Sequence, residues 1–177
     1  MKILGIAGYS GSGKTTLIEK VVPHLVEAGL RVSLIKHAHH AFEVDQPGKD
    51  SWRHRQAGCA EVLVSSSRRW ALMGELRGER EPTLEEQLRR FSPCDLVIVE
   101  GWKFDPIPRI EVHRSGDDAR RPLLFPHDPH VIAVATDEPL DTRLPQFDID
   151  DARAIAGFIR EFVAGREGRP RLPPLPD

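Results

Sequence analysis

A glycine-rich turn near the amino terminus constrains this chain more than any other feature of its sequence. The turn is Gly-Tyr-Ser-Gly-Ser-Gly-Lys-Thr at residues 8–15, directly after the apolar run 2–7. Leu17, Val21 and Leu25 follow at the four-residue spacing of a helix. A strand, such a turn and a helix in this order predict a phosphate-binding loop, because the backbone amides point inward and the helix N-terminus favours an anion.

The loop predicts how a nucleoside triphosphate and Mg²⁺ are held. We expect Lys14 to contact the β- and γ-phosphates and to stabilise charge during hydrolysis, and the Thr15 hydroxyl to ligate the metal. The predicted nucleotide-binding residues of the loop are Ser10, Gly11, Ser12, Gly13, Lys14, Thr15 and Thr16. The sequence therefore predicts a nucleotide-binding protein.

Alternating apolar runs and helical patterns predict the fold class. Further strands are predicted at 31–36, 61–65, 95–99, 109–112 and 131–135. Three helices are predicted: one at 15–28, one that starts at a Thr83–Glu86 capping box, and one that starts at residue 150 or 151. We predict an α/β fold of the P-loop NTPase class, with three α/β/α layers, a mixed but mostly parallel sheet, and a hairpin or loop extension near 68–80. Residues 1–164 are predicted to form a single domain and residues 165–177 a proline-rich tail.

Composition excludes several classes of protein. The net charge is -2 over 177 residues, so neither nucleic acid nor a membrane surface is an expected partner. No run approaches about eighteen consecutive apolar residues, and no leader pattern opens the chain. Cys59 and Cys94 form no closely spaced pair. We therefore expect a cytoplasmic protein that binds small molecules or other proteins.

Acidic residues beside the predicted strands are candidates for the rest of the site. Glu100 ends the apolar run 95–99 at the ligand edge of the sheet, whereas Asp95 begins it, roughly 16 Å away at about 3.3 Å per residue. Glu100 is predicted to hold Mg²⁺ or to polarise water, with a buried hydrogen-bonded carboxylate as the alternative. Asp50, in the turn-rich segment 45–51, is predicted to ligate or activate water near the γ-phosphate, with helix N-capping as the alternative.

A further acidic residue suggests which nucleotide base is bound. Asp137 follows the apolar run 131–135, and Pro139 comes two residues later. A carboxylate there can accept hydrogen bonds from guanine N1 and N2, which adenine cannot offer. This favours GTP over ATP, with a turn cap before Pro139 as the alternative.

Three histidines, His37, His39 and His40, follow the second predicted strand. They suggest a zinc site, but no cysteine or acidic spacing completes a ligand set. Phosphate contact or loop structure is the favoured interpretation of this segment.

The succession of motifs resembles the molybdopterin-guanine dinucleotide biosynthesis protein B (MobB) family. The resemblance rests on residues 10–16, 34–40, 47–51, 69–73, 99–101 and 131–135. It implies a GTP-binding protein with weak GTPase activity that acts as a homodimer. It also implies an accessory role beside the guanylyltransferase that joins GMP to molybdopterin, and beside other molybdenum-cofactor proteins. Segment 68–76 or strand 109–112 is then expected in the subunit interface.

Two other functions stay open at this stage. A small-molecule kinase or ligase needs an acceptor pocket and a lid with catalytic arginines, and Arg68 and Arg69 show no lid pattern around Trp70. A nucleotide-free binding module would have no nucleotide affinity. The sequence shows no internal arginine finger or catalytic glutamine, so hydrolysis is expected to be slow unless a partner completes the site.

Overall fold

The computed structural model describes residues 1–38, 42–102, 105–116 and 122–165. Its strands are β1 (Lys2–Ala7), β2 (Val32–Lys36), β3 (Glu61–Ser65), β4 (Trp70–Gly74), β5 (Leu96–Glu100), β6 (Arg109–His113), β7 (Val131–Thr136) and β8 (Gln146–Asp148). Its helices are α1 (Lys14–Glu27), α2 (Asp50–Gln56), α3 (Leu84–Leu88) and α4 (Ala152–Val163). None of the helices in the described ranges has the length and apolar character that crossing a bilayer requires.

The chain divides into two compact units, one of residues 1–37 with 87–177 and one of residues 38–86. The single domain expected over residues 1–164 stays a prediction. From residue 166 onward, the proline-rich tail lies outside the described residues.

A parallel six-stranded sheet forms the centre of the first unit, in the order β2-β5-β1-β6-β7-β8. β5 lies between β1 and β2, although the whole second unit separates it from them in the sequence. Because all neighbouring strands are parallel, their carboxyl ends, including Ala7, Lys36 and Glu100, meet at one edge. The predicted α/β fold of the P-loop NTPase class, with a mostly parallel sheet, is confirmed.

Helices α1 and α4 contact each other and share one apolar core with the sheet. The buried positions of α1 recur at helical spacing and are Leu17, Ile18, Val21 and Leu25. The helix continues through Pro23. α4 begins where the Asp151 carboxylate accepts a hydrogen bond from Ala154 N at 2.9 Å, which confirms a helix start near residues 150–151.

The second unit is built differently, around an antiparallel hairpin. β3 pairs with β4, with Leu63 opposite Leu72, and α2 lies beside β3. The predicted hairpin extension is therefore confirmed. Among the residues of this unit that the structure describes, Leu84 is the only buried apolar side chain. Leu84 lies within the predicted capping box, in which Thr83 N donates to Glu86 Oε2 at 2.8 Å and Glu86 N donates to Thr83 Oγ1 at 3.3 Å.

An ion network centred on Arg55 stabilises this second unit. Its guanidinium lies 2.9 Å from Glu43 and 3.4 Å from Asp45, and it also pairs with Glu75. Asp45 accepts a further hydrogen bond from Ser51 Oγ at 2.8 Å. The side chains of Arg55 and Asp45 are 11% and 8% exposed, so this network is largely shielded from water although few apolar side chains are buried around it.

Candidate nucleotide-binding site

The loop between β1 and α1 has a shape that only glycine permits at its first position. Gly8 has a φ of 144°, and a Cβ atom there would lie 2.4 Å from the Val112 carbonyl oxygen and 2.7 Å from Ser12 Oγ. Ser12 N donates to Tyr9 O at 3.2 Å, and Gly13 caps α1 in a left-handed conformation. The first turn of α1 carries no acidic residue, so the positive end of the helix faces the loop without an internal counter-charge.

Ser12 contributes a buried hydroxyl to this loop. The residue is 2% exposed, and its Oγ has no hydrogen-bond partner among the described residues. Leaving a hydroxyl unpaired in the interior costs about 1–3 kcal/mol. A phosphate oxygen in the loop would accept a hydrogen bond from this hydroxyl, so the residues present fit a bound phosphate.

The Lys14 side chain folds back over the same loop. Its Nζ donates to the carbonyl oxygens of Gly8 at 2.9 Å and Tyr9 at 2.6 Å. These two hydrogen bonds fix the direction of a long side chain that is otherwise free to rotate. The ammonium charge is therefore placed beside the amides that a phosphate would contact.

Thr15 and Glu100, the two predicted metal ligands, lie together. Thr15 Oγ1 donates to Glu100 Oε1 at 3.1 Å. Glu100 is buried at the end of β5, opposite Ile6 of β1, and this register brings it to the strand that leads into the loop. A hydroxyl and a carboxylate are oxygen ligands that Mg²⁺ accepts, so the pair fits the ion. Glu100 equally matches the buried, hydrogen-bonded carboxylate of the alternative interpretation, and its role as a ligand stays a prediction.

A second lysine reaches the same two oxygen atoms. Lys36 ends β2 and stands opposite Glu100 in the pairing of β2 with β5. Its Nζ lies 3.4 Å from Thr15 Oγ1 and 3.5 Å from Glu100 Oε1. Sequence reasoning assigned segment 35–40 to phosphate contact or loop structure without singling out this side chain. The missing signal was the pairing of β2 with β5, which are distant in the sequence.

The backbone on both sides of this pair is closely packed. Gly101 has a φ of 100°, and a Cβ atom there would lie 3.0 Å from the His37 carbonyl oxygen. His37 N donates to Glu100 O at 2.8 Å, and the His37 and Trp102 rings are 4.8 Å apart between centroids. The main chain that carries Lys36 is thus fixed against the main chain that carries Glu100.

Asp137 lies at the end of β7, with two partners of its own. Its Oδ1 accepts a hydrogen bond from Ser115 N at 2.6 Å, and its Oδ2 is 3.9 Å from Arg114 Nη1. The Ser115 hydrogen bond, with the nearby Arg114 charge, holds the pKa of Asp137 below its ordinary value. Arg114 Nη2 is 3.9 Å from where a Cβ on Gly13 would stand, so its guanidinium borders the phosphate loop. Sequence reasoning missed Arg114, which belongs to no recognisable motif.

Comparison with known proteins identifies the family. The family model for molybdopterin guanine dinucleotide synthesis protein B (MobB) matches residues 3–137. The chain belongs to the MobB family. The resemblance found in the sequence is therefore confirmed, and the match spans the candidate site from Gly8 to Asp137.

Curated relatives and solved structures agree with this membership. The molybdopterin-guanine dinucleotide biosynthesis adapter protein of Escherichia coli (strain K12) is 44% identical over 168 residues, covering 94% of this chain and 95% of the relative. The adapter protein of Haemophilus influenzae is 44% identical over 163 residues, covering 91% of this chain and 89% of the relative. A crystal structure of molybdopterin-guanine biosynthesis protein B has a TM-score of 0.72 and 32% identity, covering 90% of this chain and 99% of that one. MobB membership and these names support the adapter interpretation and not the kinase or ligase alternative.

The remaining predicted residues of this MobB-family site are placed as follows. Ser10, Gly11 and Thr16 are exposed along the loop and the first turn of α1. Asp50 is exposed and is the first residue of α2, in the second unit. Lys49 occupies the N-cap of that helix, so Asp50 is not the N-cap residue that the alternative interpretation required.

The histidine segment is described only in part. His37 contacts Trp102, whereas His39 and His40 lie outside the described residues. Within the described ranges, no group of three or more histidine, cysteine or acidic side chains is arranged to hold a metal ion. The zinc interpretation depends on His39 and His40 and therefore lies outside the described residues.

Proposed function

We propose that this MobB-family chain binds GTP with Mg²⁺ at loop 8–15 and acts as an adapter in molybdopterin guanine dinucleotide biosynthesis. The observation that carries the nucleotide part is the buried Ser12 hydroxyl, which lacks a protein partner among the described residues and lies in a loop at a helix N-terminus. The adapter part rests on family membership and on the names of the relatives.

Each part of the loop has a role in this proposal. Ser12 donates a hydrogen bond from its hydroxyl to a phosphate oxygen, and the Lys14 ammonium neutralises phosphate charge from the position that the loop carbonyls fix. Thr15 and Glu100 hold the metal through oxygen atoms. When bound, Mg²⁺ supplies positive charge between the β- and γ-phosphates.

Equilibrium binding of GTP to the parent protein and to Lys14→Ala, with and without Mg²⁺, tests the proposal. Loss of a charge-assisted contact is expected to weaken GTP binding by about ten- to a hundredfold. Lys20→Ala is the matched control, because Lys20 lies on the same helix and pairs with Asp150 at 2.9 Å. Equal affinity of Lys14→Ala and the parent protein would contradict the proposed site.

We further propose that hydrolysis is slow and depends on a partner. Asp50 and Glu100 are the candidates for positioning the attacking water, together with Lys14 for the phosphoryl charge. Glu100 contacts Thr15 and Lys36, which limits its freedom to act as a base. Single-turnover GTP hydrolysis by Asp50→Asn and Glu100→Gln separates the two candidates. At saturating GTP, only the substitution of the residue that positions water should slow the chemical step.

GTP is proposed over ATP because of Asp137. Each carboxylate oxygen can accept two hydrogen bonds, so the hydrogen bond from Ser115 N and the ion pair with Arg114 leave room for guanine N1 and N2 donors. Asp137→Ala should weaken GTP binding relative to ATP, whereas the exposed Asp141→Ala should leave the preference as it is. An unchanged preference in Asp137→Ala would reject the assignment.

The proposed partners are a second copy of this chain and the guanylyltransferase of the pathway, with other molybdenum-cofactor proteins. The hairpin supports the homodimer, because Leu63, Trp70 and Leu72 share one face of β3–β4 and are all exposed. A two-stranded hairpin is marginally stable in water unless its apolar face is covered. We place these partners in the cytoplasm, where the two free cysteines would stay reduced.

Capture from a cell extract tests the partner proposal. The tagged protein is loaded with GTP, GDP or no nucleotide, and the bound proteins and pterins are identified. Recovery of the guanylyltransferase supports the adapter role. Its absence in all three states, while GTP binding is intact, would contradict it.

A further inference from the structure

The ammonium group of Lys36 occupies a position that the proposed chemistry assigns to a cation. Its Nζ lies 3.4 Å from Thr15 Oγ1 and 3.5 Å from Glu100 Oε1, the two atoms proposed to hold Mg²⁺. The side chain of Lys36 is 53% exposed, whereas that of Glu100 is 9% exposed. A nearly buried carboxylate needs a counter-charge, and Lys36 supplies one.

The two lysines of the site are held in different ways. Lys14 Nζ donates to the carbonyl oxygens of Gly8 and Tyr9, which belong to the loop itself. The contacts of Lys36 are instead with Thr15 and Glu100, both of which change partners if a divalent cation binds between them. Lys14 therefore has a position fixed by the loop, and Lys36 has one that depends on what the site contains.

The backbone under Lys36 has little room to move. The close approach of Gly101 to His37 and the hydrogen bond from His37 N to Glu100 O fix the end of β2 against β5. Any response of Lys36 to a bound cation must therefore come from its flexible four-carbon side chain. A fixed backbone and a flexible side chain allow the Lys36 ammonium group to change its contact when a ligand binds nearby.

We propose that Lys36 is a second phosphate-contacting lysine, which reads the terminal phosphate of a bound triphosphate. This inference rests on the proposed GTP–Mg²⁺ site and extends it. Were Mg²⁺ held by Thr15 and Glu100, its charge would repel an ammonium group a few ångströms away, and the Lys36 tip would then contact the nearest anion. A triphosphate offers a γ-phosphate there, whereas a diphosphate does not. Lys36 thus distinguishes GTP from GDP.

The test compares GTP and GDP affinities of the parent protein and Lys36→Met by calorimetry at saturating Mg²⁺. Lys36→Met should raise the Kd for GTP by about tenfold, the effect of one charge-assisted hydrogen bond, and change the Kd for GDP by less than about twofold. Lys20→Met removes an exposed lysine of α1 and should change neither value. Lys36→Arg keeps the charge and should restore most of the preference for GTP.

The outcomes separate the inference from the function on which it rests. Equal losses for GTP and GDP in Lys36→Met, or no loss for either, overturn the role of Lys36. If the parent protein fails to bind GTP, or Lys14→Ala binds it equally well, the proposed function itself fails. Thermal unfolding of each variant identifies a folding defect, and recovery of the GTP preference in Lys36→Arg shows that charge, not shape, is responsible.

Discussion

The two units of this chain are stabilised by different forces. The first buries an apolar core in which Ile98 and Ile159 are 1% and 0% exposed. The described part of the second unit has an ion network around Arg55 instead of an apolar core, and its Leu63 and Trp70 are 62% and 64% exposed. Apolar burial stabilises a unit without help, whereas ion pairs contribute little once water reaches them. The exposed apolar face of the second unit is therefore where the proposed homodimer can be tested.

The largest effect is expected from shortening a core side chain of the first unit. Ile159→Ala should lower the free energy of unfolding by about 2–5 kcal/mol, because it removes buried methyl groups and leaves a cavity. Leu63→Ala in the second unit should change it by about 0.5 kcal/mol or less. Urea denaturation at low protein concentration measures both, and equal losses would remove the contrast between the units.

A charge on the exposed hairpin face should disrupt the proposed homodimer. Leu72→Glu places a carboxylate opposite Leu63, and burying it between two copies should raise the dimer Kd by at least about tenfold. Val26→Glu is the control, because Val26 is an exposed apolar residue on α1. Sedimentation equilibrium decides, and equally tight dimers in both variants would exclude the hairpin from the interface.

Loss of the central arginine should loosen the second unit alone. Arg55→Met leaves Glu43, Asp45 and Glu75 without their shared partner, so the amides of β3 and β4 should exchange hydrogen severalfold faster. The amides of α4 in the first unit should keep their protection. Arg53→Met, which changes an exposed neighbour on the same helix, serves as control. Faster exchange throughout the chain would show that the two units unfold together.

The smallest effect concerns a surface ion pair of the second unit. Hydrogen bonds from Arg80 and from Thr83 lower the pKa of Glu86 from 4.5 to about 2. A carboxyl with a lowered pKa stabilises the folded state above its unfolded pKa, and this contribution is lost as pH falls toward about 2. The difference in melting temperature between the parent protein and Glu86→Gln should therefore be small at pH 7 and vanish on acidification. A difference that is independent of pH would refute the linkage.

Local patterns were enough to predict most of the fold. The phosphate loop, the hairpin strand at 61–65 and the start of α4 depend on residues close together in the sequence. Helix α2 entered only through the alternative in which Asp50 caps a helix, because none of its residues is buried and no apolar periodicity marks it. Strand β8 was missed because three residues after Pro145 are too short for a pattern. The position of β5 between β1 and β2 comes from tertiary packing, which no local pattern encodes.

The candidate site was predictable to the same extent. The rule that parallel strands end at one edge predicted Glu100 in the site of Thr15, and the structure brings the two within hydrogen-bonding distance. Lys36 lies beside the loop because β2 pairs with β5, and Arg114 lies beside it because its side chain is long. Neither residue belongs to a sequence motif. The unpaired state of Ser12 Oγ is likewise a property of packing, since the same residue in an open turn would be solvated.

The close contact between Gly101 and His37 also restricts how this protein can evolve. Any side chain at position 101 would be strained at a φ of 100° and would require the His37 carbonyl to shift by a few tenths of an ångström, next to the paired Lys36 and Glu100. Mutations there are expected to be eliminated even though the residue itself does no chemistry. Trp70, by contrast, is 64% exposed, so substitutions there meet no comparable steric limit from the described residues.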